Sequence, residues 1–92
     1  LPEYILTAPS PPVTGIVNAS SLSITVNLAI LGISLGSFTG NLKDGLVIKV
    51  DLVALEGEVR FFIKNGNQVW VGPKLSVVFD GKYETEAKLV SI

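Results

Sequence analysis

Trp70 is the only tryptophan in the chain, and the residues that can act with it are Asp51, Arg60, Phe62, Lys64 and Gln68. Aromatic rings set among donors and acceptors suit a carbohydrate. The C–H face of a pyranose packs on the ring, while carboxylate, amide and guanidinium groups bind its hydroxyls. Trp and Arg are also the residues enriched at protein–protein hot spots. A third reading is plain cross-strand packing, with Trp70 on Phe62 and the aliphatic stems of Lys64 and Arg60 laid beside them. All three readings require these residues to share one face of one sheet.

Covalent chemistry has few carriers here. The chain has no Cys, His or Met, which removes disulfides, thiol nucleophiles, imidazole bases and soft metal ligands. A serine nucleophile would need a lysine as its base. Gly32-Ile33-Ser34-Leu35-Gly36 does not fit a phosphate-cradling loop, because no Lys follows it and no helix opens there. Glu84 and Glu86 lie two apart, as do Glu56 and Glu58. Paired carboxylates can do acid–base work or hold Ca²⁺, but nothing else converges on either pair. Solvated charges guarding a sheet edge account for them. Asp44 and Asp80 each precede a glycine and read as turn formers. The expectation is a protein with no catalytic residue, no metal site and no cofactor.

The surrounding composition bounds the partners. The chain has 92 residues, net charge −1 and only 16% charged residues, against about 25% in a typical soluble domain. Seven basic residues among eight acidic ones make no patch for nucleic acid, which needs clustered Lys and Arg. A hydrophobic content of 48% excludes a disordered chain. The charges are unevenly placed: after Glu3 the next is Lys43, so residues 4–42 carry none. Within that stretch, Leu22 to Phe38 falls short of the ~18–20 apolar residues of a spanning helix and is interrupted by Ser23, Thr25, Asn27, Ser34 and Ser37. No membrane span is expected. No basic, N-terminal signal segment is visible. The chain starts at Leu1, as a processed or trimmed chain does, and Asn18-Ala19-Ser20 is a sequon. A secreted or extracellular setting is the expectation, with a cytoplasmic one the alternative.

The elements that must position Trp70 follow from period two. Residues 1–14 hold Pro2, Pro9, Pro11 and Pro12, which forbid helix and favour extended geometry. They read as a Pro-rich arm with a short edge strand at Tyr4–Thr7. Residues 15–92 read as one β-domain. Leu22, Ile24, Val26, Leu28 and Ile30 alternate with small polar residues until Gly32, and Ile33 and Leu35 resume the pattern in the opposite phase. Strict alternation and β-branched residues favour strand over helix there. Leu46, Ile48, Val50 and Leu52 alternate in the same way. Further strands are expected over 58–64, 68–71, 74–79 and 82–91. The turns between them are assigned to Asp44-Gly45, Glu56-Gly57, Asn65-Gly66-Asn67 and Asp80-Gly81, where glycine accepts positive φ. Gly72-Pro73 is assigned as a strand stop. The sum is an all-β fold, a small antiparallel sandwich or flattened barrel of about eight strands.

The turns carry register. A three-residue loop at Asn65-Gly66-Asn67 sets Lys64 against Gln68, Ile63 against Val69, Phe62 against Trp70 and Phe61 against Val71. A two-residue loop at Glu56-Gly57 sets Leu52 against Phe61, Asp51 against Phe62 and Val50 against Ile63. Both sort Ile48, Val50, Leu52, Val59, Phe61, Ile63, Val69 and Val71 to a core face. They sort Lys49, Asp51, Val53, Arg60, Phe62, Lys64, Gln68 and Trp70 to the other. One conflict remains, because Lys49 falls opposite Lys64 and like charges so placed repel.

The functional expectation is a non-catalytic binding protein. The first choice is a small lectin-like, carbohydrate-binding domain acting as a homo-oligomer, with a glycan or glycoprotein as partner. Its ligand-binding residues would be Asp51, Arg60, Phe62, Lys64, Gln68 and Trp70. Small lectins share this general character, an analogy of fold class only. The alternative is a structural or self-assembling interaction module, since charge depletion marks interface cores. A lipid or hydrophobic-ligand carrier is a third.

Overall fold

Alternation in the sequence becomes alternation in burial. In the third strand Ile24, Val26, Leu28 and Ile30 are buried while Ser23, Thr25 and Asn27 are exposed. The structure is a computed structural model that describes residues 3–9, 12–30, 32–78 and 81–92. The strands are β1 Glu3–Pro9, β2 Pro12–Asn18, β3 Ser23–Ile30, β4 Ile33–Asn41, β5 Leu46–Leu52, β6 Leu55–Lys64, β7 Gln68–Val77, β8 Gly81–Glu84 and β9 Ala87–Ser91.

Sheet A is the antiparallel meander β1-β2-β3-β4, and sheet B is β5-β6-β7-β8 with β9 also on β7. Neither closes into a barrel, and the architecture is consistent with an open β-sandwich. Leu6, Val13, Val17, Ile24, Val26 and Leu28 of sheet A join Ile48, Val50, Leu55, Val59, Phe61, Val69, Val71 and Leu75 of sheet B in one buried cluster. Each such side chain contributes about 1.5–3 kcal/mol of hydrophobic stabilisation, which is how a chain without disulfides holds two layers together. Within the N-terminal 14 residues, β1 contains the expected Tyr4–Thr7 strand and pairs along its length with β2. Leu6 and Val13 sit in the core, and the division drawn at residue 14 falls inside β2.

The β6–β7 hairpin has the expected register, with Lys64 against Gln68, Phe62 against Trp70 and Phe61 against Val71. Asn65 and Gly66 of its loop both take positive φ. The β5–β6 hairpin does not. Its turn is Val53-Ala54, and the ladder runs Leu52↔Leu55, Asp51↔Glu56, Lys49↔Glu58, Leu46↔Phe61. Gly57 does take positive φ (138°), but inside β6. A Cβ there would lie 2.2 Å from the backbone oxygen of Lys74, so this glycine admits the close approach of β7 and makes no turn. The register error is six residues, an even number. The core face therefore survives it: Ile48, Val50, Val59, Phe61, Val69 and Val71 are all buried. The Lys49–Lys64 conflict disappears, because Lys49 faces Glu58 and pairs with it at 3.5 Å.

Two more punctuation marks are corrected. Asp44-Gly45 lies in the connection from β4 to β5, which belong to different sheets, and makes no hairpin. Gly72-Pro73 does not stop a strand, because β7 runs through it. The carbonyl of Pro73 accepts from Thr85 N–H at 3.3 Å, so the proline nitrogen faces that same side, where β8 gives way to β9. No β6 bond is lost to the missing N–H. Asp80, half of the Asp80-Gly81 turn, lies outside the described residues. Gly81 follows at positive φ and pairs with Val77.

Candidate functional site

The outer face of sheet B carries the residues on which binding was expected. On β6, Arg60, Phe62 and Lys64 alternate with Val59 and Phe61, both at 0% exposure. On β7, Gln68 and Trp70 alternate with the buried Val69 and Val71. The three-residue loop then sets Phe62 directly against Trp70. Gly72, opposite Arg60, leaves room that its neighbours occupy: a Cβ there would lie 3.2 Å from Phe62 Cε1, 3.7 Å from Glu86 Cγ and 3.8 Å from Arg60 Nη2. Phe62 thus leans over the glycine, whose backbone is buried beneath it.

The rings are covered by cations. Lys64 Nζ lies 4.1 Å from the Trp70 ring centroid and 5.7 Å from that of Phe62, while Arg60 Cζ lies 5.8 Å from the Phe62 centroid. Each distance is within cation–π range. Lys64 also pairs with Glu86 at 2.6 Å. Trp70 Nε1 donates to Gln68 Oε1 at 3.2 Å, and the same oxygen accepts from Asn65 Nδ2 at 3.0 Å. Trp70 and Phe62 are half-buried, so the pair is neither core nor fully open. Arg60, Phe62, Lys64, Gln68 and Trp70 are therefore brought together.

Asp51 is not among them. It pairs with Glu56, six residues along β6 from Phe62, or about 20 Å at strand rise. It lines instead a separate groove of about 530 Å³ on sheet B, with Lys49, Glu56, Lys74, Lys82 and Glu84. Sequence reading missed Glu86 and Lys88. Glu86 reaches Lys64 from the segment between β8 and β9, and Lys88 lies opposite Trp70 because β9 pairs with β7. The signal was the stretch 82–91 itself, which splits so that Glu84 faces Lys74 while Glu86 serves the aromatic pair.

Gly32-Ile33-Ser34-Leu35-Gly36 has the G-x-S-x-G spacing of a nucleophile elbow, but the fold does not make one. Ser34 lies in β4, opposite Ala29 and just past the β3–β4 hairpin, where a strand follows and not a helix.

A second surface is the outer face of sheet A. One row across it is Thr7–Thr14–Asn27–Ser37, and the next is Ile5–Ile16–Thr25–Thr39. The hydroxyls of Thr25 and Thr39 are 3.2 Å apart, and Ser37 Oγ donates to Asn27 Oδ1. Both rows are exposed, with Ile5 at 76% and Ile16 at 48%, and neither row carries a charge. Compared with protein-family models, with curated proteins and with solved structures, the chain matches none.

Proposed function

We propose that the protein is a non-catalytic interaction module that works as a homo-oligomer, assembled through sheet A. The observation that carries this reading is the outer surface of that sheet, four strands wide and free of charge from Tyr4 to Leu42. Thr25 with Thr39 and Asn27 with Ser37 bond one another in pairs across β3 and β4, so a like surface can meet it without stranding a charge. Light scattering across a wide concentration range tests the proposal. A mass that rises with concentration supports it, and a constant monomer mass rejects it.

A glycan-binding, lectin-like role at the Phe62–Trp70 face is the second reading. It is favoured by a half-open aromatic pair ringed by Lys64, Glu86, Gln68 and Asn65, with Lys88 opposite Trp70. It ranks second because Lys64 lies over the Trp70 ring and the indole N–H is bonded to Gln68. A sugar would have to displace the one and compete for the other. In this reading the partner is an extracellular glycan. A glycan array with free-sugar competition tests it, with Trp70→Ala as the control that must lose binding.

A further inference from the structure

The edges of the two sheets are not alike. A sheet edge is a row of unpaired N–H and C=O groups, and proteins blunt such edges with charge, proline or short length. At one edge of sheet A, β1 carries Glu3 and Pro9. At the edges of sheet B, β5 carries Lys49 and Asp51, while β8 and β9 are only 4 and 5 residues long and carry Lys82, Glu84 and Lys88. The remaining edge is β4, Ile33–Asn41, with 9 residues, no charge and no proline. Among the described residues its only strand partner is β3.

We infer that β4 is the assembly edge, and that it pairs antiparallel with β4 of a second copy of this chain about a two-fold axis at Thr39. The inference rests on the reading that the protein assembles through sheet A. Its register comes from the ladder. Leu42 N–H donates to Leu22 C=O at 2.8 Å, so Phe38 and Gly40 direct their backbone groups at β3 while Ser37, Thr39 and Asn41 direct theirs outward. The β3–β4 register shifts between Leu28 and Ala29, where β4 carries Leu35 as an extra residue, so only 37–41 offers a regular edge. That segment is self-complementary about its centre. Thr39 meets Thr39 of the copy, Ser37 meets Asn41, and Phe38 stands opposite Gly40, over which Leu46 of the same chain lies. The same chemistry already joins β3 to β4, where Thr25 bonds Thr39 and Ser37 bonds Asn27. The copy also brings no like charge to the edge, because Glu3 lies on β1 at the far side of the sheet. The product is one continuous eight-stranded sheet whose outer face carries no charge but Glu3, on the β1 strand at each far edge.

The chain has no cysteine, so single Cys variants report the contact directly. In the proposed register the Thr39 Cα atoms of the two copies stand about 5.5 Å apart, within the span a disulfide bridges. Thr39→Cys should cross-link to a dimer on mild oxidation, and Thr14→Cys, at the middle of the face, should not. Ser37→Lys should weaken self-association by more than about tenfold while leaving the circular dichroism spectrum unchanged. Thr39→Pro, which removes an outward N–H together with the hydroxyl that meets Thr25, should do the same. If the unaltered chain self-associates but Thr14→Cys cross-links and Ser37→Lys changes nothing, the edge is wrong and face-to-face assembly stands. A chain that stays monomeric at every concentration overturns both.

Discussion

Trp70 illustrates how much one side chain's neighbours decide. Its ring is half-buried, lies under Lys64 Nζ at 4.1 Å and spends its N–H on Gln68. It is therefore part of a packed surface layer. Trp70→Ala should cost about 1–3 kcal/mol in a urea melt, below the ~3–5 kcal/mol of a fully buried aromatic. Phe61, at 0% exposure on the opposite face of the same hairpin, should reach that upper range when changed to Ala. A Trp70 loss as large as the Phe61 loss would contradict the half-buried description. The Lys64–Glu86 pair is short at 2.6 Å, but its side chains are 40% and 41% exposed. A double-mutant cycle with Lys64→Ala and Glu86→Ala should give a coupling under about 1 kcal/mol that shrinks with salt.

At the scale of strands, Gly57 and Gly66 separate two uses of one residue. Both take positive φ, but nothing lies within 4 Å of a Cβ on Gly66, whereas a Cβ on Gly57 would lie 2.2 Å from the Lys74 carbonyl oxygen. Gly66→Ala should cost about 1–2 kcal/mol, the ordinary penalty of left-handed backbone. Gly57→Ala should cost clearly more, because β6 and β7 must part. Equal losses in thermal melts would reject close approach as the reason for Gly57. The same glycine explains where the sequence was legible and where it was not. Strand identity and facing were readable at Ile24–Ile30 and Val59–Phe61, because burial follows period two. The Phe62–Trp70 pair was readable because Asn65-Gly66-Asn67 is a turn by its own chemistry. The β5–β6 turn was not, since Val53-Ala54 carries no turn residue and a Glu-Gly signal stood three residues on. Asp51 was consequently drawn to the aromatic pair from the far end of the sheet. Glu86 was missed because its contact depends on where β9 docks, which no local pattern encodes.

Across the whole molecule the two layers divide the labour. Sheet B carries most of the charges and the aromatic pair, while sheet A has a face uncharged from Tyr4 onward and, among the described residues, one unguarded edge, β4. A small domain leaves a large fraction of its surface exposed, and this one concentrates its uncharged part on a single sheet. Assembly through that sheet should be insensitive to salt, because no ion pair is available to screen between residues 4 and 42. The most direct test is sedimentation of the unaltered chain from low micromolar to near-millimolar concentration, at low and high salt. The account predicts a reversible shift from monomer toward dimer at the same concentrations in both salts. A single monomer species throughout, or a dimer that salt dissolves, would contradict it.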